Sequence, residues 1–109
     1  MCGLEFPDLE KRIYKRYRDR GVIVVGVNPA PRLAGGETPA TLRMFAQQTQ
    51  VTFPIGVDPS KSYRLFPAKN AFSPFPLDVI VDRKGVIRYV NRQYDIDAIE
   101  RVIEELLAE

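Results

Sequence analysis

The sequence predicts one α/β domain with a mixed sheet, and three observations carry that prediction. Two runs rich in Val and Ile, residues 76–81 and 86–90, flank Asp82-Arg83-Lys84-Gly85, the pattern of a β-hairpin with a four-residue connection. Residues 22–27, Val-Ile-Val-Val-Gly-Val, form a continuous apolar run of the kind found in strands buried on both faces. Apolar residues recur at helical spacing in three further segments. The resulting order is helix, strand, helix, hairpin, helix, with no repeat and no linker, so residues 1–109 form a single domain.

Each element has a local reason. Leu9, Ile13 and Tyr17, with Phe6 one turn earlier, give the first helix its apolar side, and Gly21 is placed to stop it in a left-handed conformation. Pro7 is tolerated at the very start of that helix and kinks it if a turn precedes it. After residues 22–27, Asn28-Pro29-Ala30-Pro31 and Gly35-Gly36 spell a loop. The second helix starts at Thr38 as N-cap with Pro39 at its first position, and its inner face is Leu42, Phe45, Ala46 and Thr49. Residues 51–55 form a short extended piece interrupted by Pro54. Asp58-Pro59-Ser60 opens a turn leading to Tyr63, Leu65 and Phe66, and residues 67–74 are a loop bounded by prolines. In the hairpin, Gly85 sits where the connection wants positive φ. Leu77, Val79 and Val81 share one face, with Asp78 and Ile80 on the other. Asp95 or Asp97 caps a last helix whose buried stripe is Ile96, Ile99, Ile103 and Leu106.

Composition narrows the function classes. A net charge of +2 gives no global pull toward nucleic acid or an anionic membrane. Lys11, Arg12, Lys15, Arg16, Arg18 and Arg20 cluster on the first helix, but acidic neighbours interleave and no aromatic platform accompanies them, so they read as a solvated face. Gly35-Gly36-Glu37-Thr38 lacks the lysine and spacing of a phosphate loop. No apolar run has the length of a membrane span, and no signal peptide is expected, because charged helix-like sequence begins within the first dozen residues. With no histidine and one cysteine, a metal site would need carboxylates alone; the expectation is no metal and no cofactor.

The cysteine is the chemistry-bearing residue. Cys2 opens the first helix, where the dipole and free N–H groups favour thiolate, and Glu5 follows one turn later as a proton carrier or as an opposing charge. Asp82 reads as a turn residue, whereas Asp78 inside an apolar strand has no such simple explanation. Phe66, Phe72 and Phe75 either line a substrate groove or pack in the core.

Cys2-x-x-Glu5-x-Pro7-x-Leu9 resembles the tail of the C-x-x-C-x-x-E-x-P-x-L signature of the TlpA/ResA-like thiol-disulfide oxidoreductases, which are thioredoxin-fold proteins. The likeness continues through residues 21–28 and 45–54 and is sharpest from Pro76 to Ile87. It implies a thioredoxin-like mixed sheet flanked by helices, protein thiols or disulfides as partners, and an extracytoplasmic setting. By the same resemblance Cys2 matches the resolving cysteine, Glu5 the acidic residue beside it, Pro7 the helix-kinking proline, and Pro76 the cis-proline that holds substrate chain with Phe75 beside it. A strand-initiating proline is the other reading of Pro76.

The chain departs from that pattern upstream. The family's nucleophilic cysteine and first central strand would precede Met1, so the fold is expected as an N-terminally truncated one whose dithiol cycle is incomplete. Residues 22–27 then either pair directly with residues 77–81, or a second copy fills the gap as a homodimer, because a buried strand edge without partners is costly. Two other functions are consistent with the residues: a peroxiredoxin-like peroxidase with Cys2 as peroxidatic thiol, and a non-catalytic module that binds extended polypeptide beside Pro76.

Overall fold

The computed structural model describes residues 2–28, 39–57, 65–66 and 77–109. Its first helical segment is α1 (Cys2–Leu9), which continues through a π turn (Glu10–Tyr14), α2 (Lys15–Tyr17) and a 3-10 turn (Arg18–Arg20). Gly21, at φ 90°, ends the helix as the sequence predicts. The Gly21 N–H reaches the Arg18 carbonyl and the Val22 N–H reaches back to Tyr17, which satisfies carbonyls the helix end would otherwise orphan. Then follow β1 (Gly26–Asn28), α3 (Pro39–Thr49), β2 (Ile55–Val57), β3 (Asp78–Val81), β4 (Ile87–Asn91) and α4 (Ile96–Leu107).

The core forms where the first and last helices meet. Ile13, Tyr17, Ile99 and Ile103 are buried together, and Leu9, Val22, Val24, Ile80, Tyr89, Tyr94, Ile96 and Leu107 pack around them. The basic residues of the first helix are mostly exposed, as a solvated face requires, and Arg12, Arg16 and Arg20 among them also engage acids of the last helix. Arg12 Nε donates to Glu100 at 2.7 Å and Arg12 Nη2 to Asp97 at 2.8 Å. Arg16 lies 3.8 Å from Glu100, and Arg20 Nη1 donates to Glu104 at 3.3 Å. The spacing 12, 16, 20 against 97, 100, 104 runs both helices side by side in one register. The Tyr17 hydroxyl, on a fully buried ring, donates to Glu104 at 2.6 Å. Asp95 is the N-cap of α4, its Oδ1 accepting from the Ala98 N–H at 3.0 Å.

A second cluster ties α3 and the segment after it to the first helix. Phe6 packs edge-on to Phe45 at 5.1 Å and against Phe53 at 5.4 Å, with Tyr14 on the other side of Phe53 at 5.9 Å. Thr49 is buried as expected and donates to the Phe45 carbonyl at 2.7 Å. Gly26 passes this cluster so closely that an added Cβ would lie 3.2 Å from Ile55 and 3.3 Å from Phe53. Thr38 and the loop at 67–74 lie outside the described residues.

Two expectations for the sheet are corrected. Residues 22–27 are not a strand buried on both faces: only Gly26–Asn28 pairs, and Ile23, Val25 and Val27 are 84%, 54% and 62% exposed. Val22 and Val24 point to the core, so the alternation is that of a one-sided strand. Nor do residues 22–27 pair with 77–81. β1 pairs in parallel with β2, Gly26 opposite Ile55, while β3 pairs antiparallel with β4, Val79 opposite Val90. The described strands therefore form two separate two-stranded sheets. The hairpin itself has the predicted connection: Gly85 has φ 83°, and Asp82 Oδ1 accepts from the N–H groups of Lys84 and Val86 at 2.9 and 3.0 Å.

Glu10 is only 2% exposed. Burial opposes its charge, but the backbone and hydroxyl of Thr52, at 2.7 and 2.5 Å, and the Phe53 N–H outweigh it, holding its pKa below the usual carboxylate range. Because the folded pKa is lowered, this contribution is present above the unfolded carboxylate value of about 4.3 and fades as pH falls through the folded one. Glu10→Leu leaves the Thr52 N–H unsatisfied and is expected to cost about 2–3 kcal/mol in urea unfolding at pH 7. The gap between variant and wild type should narrow in acid.

Candidate active site

Cys2, Glu5 and Asp8 follow one another at three-residue intervals along α1, so the helix repeats bring these positions to one side of it. Glu5 is buried, at 7% exposure, and Asp8 is half-buried. Asp78, the first residue of β3, approaches from the hairpin. It shares a face with Ile80, and Ile80 packs into the core between the first and last helices, so Asp78 is turned inward as well. Its Oδ2 is fully buried and has no hydrogen-bond partner among the described residues. Tyr94 closes the group from the turn before α4, its hydroxyl donating to Asp8 Oδ2 at 2.7 Å.

The electrostatics follow from this crowding. Burial raises the Asp78 pKa to about 6. Glu5 is also raised, by burial first and by the Asp78 charge second. The Tyr94 hydroxyl is pushed well above its ordinary value by burial, by its bond to Asp8 and by the charges of Asp8, Glu5 and Asp78. Burial thus favours the protonated form of both carboxyls, and the Asp78 charge adds to that bias at Glu5. That is the property required of a local acid–base group.

Glu5 thus occupies a buried acidic position, and Cys2 opens the same helix three residues earlier. Phe75 and Pro76 lie outside the described residues, as does Phe72. Phe66 is half-buried, with its carbonyl accepting from Arg92 Nη2 at 2.7 Å. Asp78 and Asp82 are not a pair: Asp82 serves the turn and bonds Arg88 at 3.0 Å, and Asp78 partners Glu5 electrostatically. Sequence reasoning passed over Asp8 and Tyr94. The Glu5–Asp8 spacing was a usable signal for the first; nothing near Tyr94 marked the second. Among the described residues no group of three His, Cys, Asp or Glu could hold a metal ion, and no helix is long and apolar enough to cross a membrane.

Asp78 supplies a pH test. Its raised folded pKa means that its favourable contribution is complete below the unfolded value of about 3.9 and is lost as pH rises through about 6. Asp78→Asn is therefore expected to stabilise the chain at pH 7 by about 1–2 kcal/mol, after allowance for solvent screening. The gain should vanish at pH 4, and paired urea titrations at the two pH values check it.

Neither a curated protein nor a solved structure matches the chain significantly. The AhpC/TSA family pattern does match, over residues 1–90, which takes in the cysteine, β1 to β3 and all of β4 but its last residue. The α/β arrangement of helices and small sheets agrees with the thioredoxin-like fold of that group. The chain belongs to the AhpC/TSA family.

Proposed function

We propose that this chain performs thiol–disulfide exchange at Cys2, with protein thiols or disulfides as partners, in the manner of the TlpA/ResA-like oxidoreductases. The observation that carries the reading is the buried Glu5 on the helix that Cys2 opens, its pKa raised by burial and by the charge of Asp78 at the start of β3. Family membership supports thiol-dependent redox chemistry in general.

In the proposed reaction the Cys2 thiolate attacks one sulfur of a substrate disulfide. A Cys2–substrate disulfide forms, the substrate S–S bond breaks, and the second substrate sulfur leaves as a thiolate. That thiolate takes a proton from Glu5, whose carboxyl is held toward its protonated form by burial and by the Asp78 charge. A second thiol, supplied by a reductant or by another chain, returns a proton to the carboxyl and attacks the substrate sulfur of the mixed disulfide. The Cys2–substrate bond breaks, Cys2 leaves as thiolate, and the second thiol and substrate are left joined in a disulfide. Lowering the charge of the departing sulfur is where a carboxyl held toward its protonated form is useful. Pro76 and Phe75 would hold the substrate chain: in the sequence only Leu77 separates them from β3, whose first residue raises the Glu5 pKa.

The test compares leaving groups. Cys2→Ser should abolish mixed-disulfide formation with any substrate, read by mass spectrometry. Glu5→Gln should slow exchange by about a hundredfold when an alkyl thiol of high pKa departs. It should change the rate little when an aryl thiolate, which needs no proton, departs. Equal slowing with both would remove Glu5 from the proton transfer. Stoichiometric peroxide loss with sulfenic acid at Cys2, and no exchange with disulfides, would replace this reading by a peroxidase.

A further inference from the structure

Glu10 is a buried, ionised group that the chemistry proposed for Cys2 leaves unused, and it stands at an irregular point of the first helix. The chain is α-helical through Leu9 and then widens into the π turn Glu10–Tyr14, closed by the Lys15 N–H donating to the Glu10 carbonyl five residues back. The carboxylate of the same residue is held from outside the helix. It accepts from the Thr52 N–H at 2.7 Å and from the Thr52 hydroxyl at 2.5 Å, and Lys15 Nζ stands 3.8 Å away. Phe53, the next residue, packs on Phe6 at 5.4 Å and on Tyr14 at 5.9 Å. Residues 52–53 therefore grip the helix before the π turn, at its start and at its end.

These grips fix a rotation. Each step of four residues overshoots an α-helical turn of about 3.6 residues by about 40°, so Phe6 and Tyr14 would stand about 80° apart around an unbroken α-helix. A π turn, bonded one residue wider, takes back the second of these steps. Tyr14 is brought round to the side of Phe6, where the one ring of Phe53 meets both. Closing the turn to α-helix would rotate α1 about its axis relative to Ile13 and Tyr17, which are locked in the core. Pro7, inside α1, gives the helix ladder no N–H, so α1 depends the more on grips from outside. What the rotation decides is plain from the other side of α1. Asp78 of β3 acts on Glu5 there, and the Tyr94 hydroxyl donates to Asp8 at 2.7 Å.

We propose that Glu10 is a positioning residue for the candidate site: bonded to Thr52, it keeps the π turn open and so sets the rotation of α1 at which Glu5 lies beside Asp78 and Asp8 reaches Tyr94. Its effect on the geometry of Glu5 and Asp8 is independent of what Cys2 does. Its effect on thiol–disulfide exchange rests on the reaction proposed above.

Thr52→Val removes the hydroxyl donor without changing the formal charge of the chain, and Thr52→Ser keeps that donor. The full chain, carrying 13C at its Glu carboxyls, is titrated by NMR at a temperature where circular dichroism shows each variant folded. In Thr52→Val the Glu5 midpoint should fall by about half a pH unit or more toward the ordinary carboxylate value, and Thr52→Ser should titrate as wild type does. Glu10→Leu should move the midpoint further. An unmoved midpoint in both Thr52→Val and Glu10→Leu, or in Thr52→Val alone if Glu10→Leu does not fold, would make Glu10 a clasp for stability only and overturn the proposal. In Thr52→Val, exchange that releases an alkyl thiol should also slow about tenfold relative to release of an aryl thiolate. A moved Glu5 midpoint with an unchanged alkyl-to-aryl ratio upholds the positioning role and refutes proton transfer from Glu5, so the two readings fail separately.

Discussion

The contact between the first and last helices is the constraint on which the other features depend. Ile13 and Tyr17 close on Ile99 and Ile103, and the Arg12, Arg16 and Arg20 row beside them engages Asp97, Glu100 and Glu104. The apolar burial supplies the attraction, and the charge row sets the sliding register, since paired charges at partly exposed positions specify alignment more than they add stability. With that register set, Tyr94 and Ile96 at the head of α4 lie against the early part of the first helix, and the Tyr94 hydroxyl can reach Asp8. The hairpin rests on the same cluster through Ile80 and Tyr89, which carries Asp78 inward. The candidate site is thus assembled by a core that does not itself take part in the chemistry.

Two buried glutamates on one helix show how environment divides similar residues. Glu10 receives N–H and O–H donors from Thr52 and is held ionised. Glu5, one turn and a half earlier, is desolvated beside another carboxyl and is held toward its neutral form. The first is a structural clasp between the helix and the segment entering β2; the second is biased toward its protonated form. The desolvation is common to both, and only the supply of donors differs.

Much of this was legible in the sequence because it rests on local rules. The helix stop at Gly21, the turn at Gly85 with its Asp82 clasp, the cap at Asp95 and the stripe Ile99–Ile103 each follow from a residue type at a spacing. Glu5 stood out through its place after Cys2, and the structure buries it. Glu10 was not singled out, although it stands four residues after Phe6 and three before Ile13, on the apolar face, where an acid must have a partner. Residues 22–25 misled for another reason. A continuous Val/Ile run records what a segment can bury, whereas the burial it attains depends on which strands lie beside it, and that is a long-range property. Tyr94 and the Glu5–Asp78 pairing were out of reach because they join positions brought together only by the helix–helix register.

The row of Ile23, Val25 and Val27 has a consequence for how the protein behaves in concentrated solution. Three β-branched side chains stand exposed along residues 22–28, where no proline or charged residue interrupts them. Such a segment has the composition from which cross-β stacks grow, and the usual gatekeepers stand only outside it, at Arg20 before and Pro29 after. Colloidal stability of this chain is therefore set less by its net charge than by whatever keeps this short stretch covered.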